Sequence, residues 1–284
     1  MEQAVISGFS DEICKNFDEQ LKAVKEFSLT HIELRSADGV NVSNFTEEKC
    51  REVREKLLAN GISVSSVGSP IGKIGILDDF EPHLEKFRHT LHIAKMLDAP
   101  YIRMFSFYYP KEEGAQQHRD EVFRRLERLI ALAKEQGAVL LHENEKGIYG
   151  DTAARCRELM ERFYGPHFKA VFDFANFVEC GVDTLEAYAM MKPYIEYVHI
   201  KDARASDRKV VPPGMGDGKL KEILGDLLEN GYRGFLSVEP HLTDFAGLKA
   251  LEENAETRDS KMDGKSAWKL ALDSLKGVLA ACRG

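Results

Sequence analysis

Four apolar runs of strand length each end in a residue able to bind a metal. Val139-Leu140-Leu141-His142-Glu143-Asn144 carries a carboxylate at its end, and Ala170-Val171-Phe172-Asp173, Glu196-Tyr197-Val198-His199 and Phe235-Leu236-Ser237-Val238-Glu239 repeat the pattern. Side chains alternate faces along a strand, so the polar residue closing such a run can point into a shared centre while its apolar neighbours pack under helices. Glu143, Asp173, His199 and Glu239 are therefore expected to meet around one divalent cation. Three carboxylates and one imidazole make a hard donor set suited to Mn²⁺ first, with Mg²⁺, Co²⁺ or Zn²⁺ as alternatives. One acid at a strand end is more often solvated or salt-bridged, and one histidine is as readily a core residue. The signal is the set of four on consecutive strands.

Such a set needs a scaffold that turns strand ends toward one another. Strand-like and helix-like segments alternate along the whole chain. The strands run Val5 to Phe9, His31 to Arg35, Ile62 to Val67 and Tyr101 to Phe105, followed by the four already named. Helical spacing of apolar residues places helices over Phe17 to Phe27, Thr46 to Ala59, Glu81 to Leu97, Gln117 to Glu135, Ala153 to Phe163, Leu185 to Met191, Leu220 to Glu229 and Ser266 to Leu279. Asn60-Gly61 supplies a helix stop. Eight strands and eight helices in strict alternation predict a parallel sheet with right-handed crossovers. A single (β/α)₈ TIM barrel spanning residues 1–284 is expected, since in an open sheet the four ligands would spread along an edge, whereas in a barrel they converge on the C-terminal rim. The irregular stretch from Thr243 to Lys265 is expected to be a long loop covering part of that rim.

The 284-residue length agrees with the roughly 250 residues of one such barrel. A formal charge of −8 opposes a polyanionic partner, and no nucleic-acid role is expected. The five cysteines are scattered and form no CxxC pair, as reduced thiols do. No run approaches about 18 apolar residues and the N-terminus has no signal-peptide pattern, so no membrane partner and a cytoplasmic location are expected. A homo-oligomer is compatible with the sequence.

Leu141-His142-Glu143-Asn144, Phe172-Asp173-Phe174-Ala175-Asn176, Val198-His199-Ile200-Lys201-Asp202, Gly214-Met215-Gly216-Asp217-Gly218 and Ser237-Val238-Glu239-Pro240-His241 together resemble the marks of the xylose-isomerase-like barrels. That superfamily includes sugar and sugar-phosphate isomerases and epimerases, tagatose/psicose 3-epimerases, hydroxypyruvate isomerase, inosose dehydratase and endonuclease IV. The resemblance implies a cation held by Glu143, Asp173, His199 and Glu239, with Glu143 and Glu239 doubling as the catalytic acid/base pair. The implied activity is metal-dependent isomerisation or epimerisation of a small sugar, ketose or sugar phosphate through an enediolate. Alternatives are a metal-dependent dehydratase acting on an inosose-like polyol and a non-catalytic sugar-binding barrel. Endonuclease IV relatives need further histidines, whereas this chain has Ser63 to Ser66, Phe105 and Asn176 at the corresponding places. In tagatose epimerase relatives a substrate-touching histidine follows the aspartate by three residues; Asn176 stands there instead.

Further substrate-binding candidates are Glu33 and Arg103, which share the parity of the inward-facing positions and could equally form an interior ion pair. Lys201 shares the face of His199 and Arg204 follows in the loop, each able to meet a phosphate or carboxylate or to form a structural salt bridge. His142 alternates out of phase with Glu143 and is expected behind the strand. Phe9, Phe105, Phe107 and Phe177 could wall the sugar or simply pack the core. Gly214 to Gly218 lacks the Gly-Lys-Ser/Thr end of a P-loop and is expected to make a tight turn near the rim.

Overall fold

The computed structural model describes residues 4–244 and 262–282. The eight barrel strands are β1 (Val5–Gly8), β2 (His31–Leu34), β3 (Ser63–Ile71), β4 (Tyr101–Met104), β5 (Val139–Glu143), β6 (Phe168–Asp173), β7 (Ile195–Ile200) and β8 (Phe235–Val238). Their order is β1-β8-β7-β6-β5-β4-β3-β2, with every neighbouring pair parallel. A parallel bridge between Phe9 and Glu33 brings β1 back to β2 and closes the ring. The expected (β/α)₈ TIM barrel is the observed fold.

The helices are α1 (Phe17–Glu26), α2 (Glu47–Asn60), α3 (Phe80–Met96), α4 (Arg119–Gln136), α5 (Ala153–Phe163), α6 (Phe174–Glu179), α7 (Thr184–Met191), α8 (Leu220–Glu229) and α9 (Gly264–Ala281). Their ends follow local chemistry. Thr46 Oγ1 accepts the Lys49 amide at the start of α2, and Gly61 closes that helix in the left-handed conformation at φ 66°. Among the elements that differ from the sequence expectation are the third strand and a short helix, besides the antiparallel pairs Ser36–Ala37 with Val40–Asn41 and Asp202–Ala203 with Val210–Val211. The third strand continues to Ile71 through Pro70; a register shift between Val67 and Ile71 absorbs the proline, and Ser69 Oγ donates to the Arg103 carbonyl across the irregularity. The short α6 was not expected, because six residues are too few to show a helical period. The expected covering loop from Thr243 to Lys265 falls largely on residues 245–261, outside the described residues.

Inside the barrel the side chains form layers, as the period-two alternation requires. At the bottom, Tyr101 and Lys169 each reach Glu196 at 2.6 Å. Above them Leu141, Val171 and Tyr197 are buried, with Phe235 packed against them. Burial of side chains the size of Leu141 and Val171 contributes roughly 1.5–3 kcal/mol apiece. Two residues further along the same strands stand Glu143, Asp173 and His199, on the top layer. The last helix secures that end: Trp268 Nε1 donates to the Phe9 carbonyl at 3.0 Å and its ring stacks on Phe27. Gly8 is needed for this contact, since a Cβ there would lie 2.6 Å from the Trp268 ring.

Candidate metal centre

The top layer brings Glu143, Asp173, His199 and Glu239 together. One ligand atom from each lies within 4.8 Å of all the others, and all four residues are buried. Ligand bonds of about 2.0–2.6 Å to a common ion span that separation. Asp173 and His199 are direct partners in the β6–β7 register. Nδ1 of His199 is 2.9 Å from Glu143 Oε1, 3.9 Å from Asp173 Oδ2 and 3.7 Å from Glu239 Oε2.

The surroundings aim one oxygen of each acid at the centre. Asp173 caps α6: its Oδ1 accepts the Asn176 amide at 2.7 Å, which turns Oδ2 toward the cluster. The Asn176 side-chain amide donates to Glu143 Oε1 at 3.2 Å and to the Asn144 carbonyl at 2.9 Å. Asn144 in turn exchanges two hydrogen bonds with the Asp173 backbone. Glu143 Oε2 and Asp173 Oδ2 are buried and accept no well-formed hydrogen bond. Beyond the Arg103 and Lys201 cations at 3.3 and 3.2 Å these oxygens have no hydrogen-bond partner among the described residues, and a hard cation is suited to fill their remaining lone pairs. The donor set therefore fits a divalent metal.

Three fixed cations stand around the acids. Arg103 Nη1 is 3.3 Å from Glu143 Oε2 and 3.9 Å from Glu239 Oε1. Lys201 Nζ is 3.2 Å from Asp173 Oδ2 and 3.0 Å from Glu239 Oε2. Arg35 Nη1 is 3.3 Å from Glu239 Oε1. Burial raises the Glu143 carboxyl, yet His199 and Arg103 outweigh it and hold it at about 2. Burial is likewise outweighed at Glu239, which Lys201 and His241 hold well below the carboxylate range. Asp173 goes the other way, to about 7: burial dominates, Lys201 offsets part of it, and Glu143 and Glu239 add repulsion. Against burial, Glu143 and Glu33 raise the imidazole of His199 well above its ordinary value.

The other sequence candidates separate clearly. Glu33 and Arg103 do not pair with each other; Glu33 Oε2 meets His199 Nε2 at 3.1 Å and accepts from Ser237 Oγ at 2.6 Å, behind the cluster. Arg204 is exposed and pairs with Asp207 at 2.7 Å, away from the acids. The short antiparallel pair of Asp202–Ala203 with Val210–Val211 carries it outward, so its proposed substrate contact has no support in this geometry. His142 lies behind β5, 2.9 Å from Ser106 Oγ. The Phe9 ring meets the His199 ring edge-on at 5.3 Å, and Phe105 lies under Arg103 at 5.1 Å. Phe107 and Phe177 pack instead against Phe80 and Phe172 in the core. The glycine loop is a cradle filled by the chain itself: the amides of Gly214, Gly216 and Gly218 all donate to the Asp202 carboxylate at 2.9–3.0 Å.

Arg35 was missed, although it stands two residues after Glu33 and so shares its face. The same alternation that selects Glu33 selects it.

Comparison with known proteins agrees with the fold. The family model for xylose isomerase-like TIM barrels matches residues 21–262. A 3-dehydroshikimate dehydratase of Bacillus anthracis is 25% identical over 134 residues, 47% of this chain and 48% of that protein. An inosose dehydratase of Clostridium perfringens is 29% identical over 131 residues, 40% of this chain and 44% of the relative. The alignments thus span about half the length of these curated relatives. Among solved structures, a 3-keto-D-glucoside 4-epimerase from E. coli superposes with TM-score 0.69 at 17% identity, covering 99% of both chains. A barrel protein from Mycobacterium smegmatis, solved in complex with magnesium, superposes with TM-score 0.68 at 16% identity, covering 99% of this chain and 98% of that one. Among the described residues no helix is long and apolar enough to cross a membrane.

Proposed function

Because the chain belongs to the xylose isomerase-like TIM barrel family, we propose that it is a divalent-metal-dependent isomerase or epimerase of a small sugar, ketose or sugar phosphate. The observation that carries this reading is that two buried carboxylates of the four-ligand cluster, Glu143 and Glu239, face the centre with the Arg103 and Lys201 cations against them. Binding alone does not call for two such bases.

A divalent cation held by Glu143, Asp173, His199 and Glu239, Mn²⁺ first and Mg²⁺, Co²⁺ or Zn²⁺ as alternatives, supplies the Lewis acidity that polarises a substrate carbonyl and stabilises the charge left by proton removal. Glu239 takes the proton from the carbon beside that carbonyl. The proton now on Glu239 returned to the neighbouring carbon interconverts aldose and ketose, whereas inversion of the centre needs Glu143 first to take up a proton from solvent, which it then delivers to the opposite face. Lys201 keeps Glu239 ionised, and Arg103 and Lys201 offer N–H donors to substrate hydroxyls, with Asn176 as a further donor. Burial of the whole layer excludes bulk water from the reacting atoms.

A second reading is dehydration, favoured by the activities of the two curated relatives. The same proton is removed and a β-hydroxide departs instead of a proton returning. A panel of ketoses and inososes in D₂O tests both. Deuterium incorporation beside the carbonyl is expected with the wild type, and its loss in a folded Glu239→Gln variant. Full exchange in that variant removes Glu239 from the base role, while an enone-like absorbance assigns the dehydratase. A panel that neither exchanges nor dehydrates leaves a sugar-binding barrel.

A further inference from the structure

We propose that Arg35 is a positioning residue for Glu239, acting from the least-bonded seam of the barrel. This rests on the reading of Glu239 as ligand and base. β1 and β2 are the neighbours joined by the single Phe9–Glu33 bridge, where every other neighbouring pair forms a ladder. At the rim end of that seam the guanidinium of Arg35 takes over the role of the missing ladder. Its Nε and Nη2 meet Asp11 Oδ2 and Oδ1 at 2.9 and 3.0 Å, a bidentate fork. Nη2 also reaches Glu12 Oε1 at 3.1 Å, and Nη1 reaches Glu239 Oε1 at 3.3 Å. Phe9 lies under the guanidinium at 4.4 Å.

One side chain from the end of β2 therefore ties the turn after β1 to the end of β8. All four ionic groups are buried. The segment it holds is also tied by the Glu239 amide, which donates to the Ile200 carbonyl at 3.1 Å, and by Lys201 on Glu239 Oε2. Glu239 lies just beyond β8, and His241 two residues later sits at φ 46°, a conformation that an L residue adopts only when its surroundings impose it. The His241 amide donates to Glu12 Oε2 at 2.7 Å, so the same acid that pairs with Arg35 also holds the chain after Glu239. With Oε1 facing Arg35 and His241 Nε2, each at 3.3 Å, Oε2 of Glu239 is the oxygen turned to Lys201 and the cluster. A lysine in place of Arg35 keeps the charge and loses the planar fork, so it cannot hold Asp11 and Glu239 together.

The test is calorimetric titration of metal-free protein with Mn²⁺, alongside kcat and KM for substrate deuterium exchange. Arg35→Lys is expected to raise the Mn²⁺ dissociation constant about 10- to 100-fold. It is also expected to lower kcat with KM nearly unchanged. Asp11→Asn, which leaves Arg35 in place but loosens its fork, is expected to move both in the same direction by less. Wild-type Mn²⁺ affinity and kcat in folded Arg35→Lys overturn the proposal even if Tm falls, because the clamp is then structural only. If Arg35→Lys does not fold, Asp11→Asn decides by the same criterion, and failure of both to fold also overturns it. A wild type that exchanges no substrate proton sinks the functional reading, while the Mn²⁺ titration still judges Arg35.

Discussion

Nε2 of His199 and Oε2 of Glu33 stand 3.1 Å apart at the inner wall of the barrel. Glu33 takes up that nitrogen, so Nδ1 is the one presented to Glu143, Asp173 and Glu239. A carboxylate behind a ligating histidine fixes its tautomer and raises its basicity. Glu33→Gln keeps an acceptor and removes the charge, and is expected to weaken Mn²⁺ binding about tenfold or more. Titration calorimetry at pH 7.5 measures this. Unchanged affinity would separate Glu33 from the metal centre.

Lys201 is the ammonium lodged between Asp173 and Glu239. Removing one partner of a buried ion pair leaves charge unmatched, a loss of about 3–5 kcal/mol. Lys201→Met is therefore expected to melt well below the wild type when metal-free. Addition of Mn²⁺ restores positive charge to the same oxygens. Its stabilising effect on the wild type is about 2.7 kcal/mol at a hundredfold excess over the wild-type Kd, and both proteins are compared at that one Mn²⁺ concentration. The rise in Tm is expected to be larger in the variant; an equal or smaller rise would show that Lys201 and the cation do not share these oxygens.

His83 and His142 give the fold an acid limit. Burial lowers each to about 4, where an unfolded histidine titrates near 6.5. Nε2 of His83 accepts the Gly72 amide at 2.8 Å, a bond that a proton on that nitrogen abolishes. Between pH 6.5 and 4 the unfolded chain binds more protons than the folded one, so stability is full above pH 6.5 and falls as pH drops toward 4. The loss is up to about 3 kcal/mol per histidine. Urea melts of metal-free protein from pH 8 to 4 measure it, and His83→Gln is expected to flatten the profile. An unchanged slope in that variant would exclude His83.

Asp202 fills the glycine cradle with four backbone donors, counting its neighbour Ala203. Asp202→Asn turns one acceptor into a donor facing amides and is expected to cost about 1–3 kcal/mol. Gly216→Ala places a Cβ 2.4 Å from the Asp202 carboxylate and 2.5 Å from the Ala203 carbonyl, so it should destabilise as well. Denaturant midpoints check both. If the two variants are neutral, the loop is not held by this contact.

Much of the fold was readable in the linear chain. Period-two apolar runs separated by helical spacing are local patterns, and their alternation admits few topologies. The same period located Glu143, Asp173, His199 and Glu239, because each sits one alternation above an interior residue of its own strand. Boundaries moved where a bulge absorbed Pro70 and where α6 was too short to show a period.

What periodicity cannot express is which side chains meet after the ring closes. Arg35 and Glu239 are 204 positions apart, and their contact exists because β8 and β2 flank β1. Glu33 was selected by parity, yet the depth of its layer decided that it faces His199 and Ser237. Arg204 follows the motif in the loop and is exposed, beyond the short Asp202–Ala203/Val210–Val211 pair. The chain's own residues specify which face each side chain takes, a property of two successive peptides. Distance, burial and charge partners are properties of the closed barrel, and they alone separated the acids that gather at the centre from the groups that hold them there.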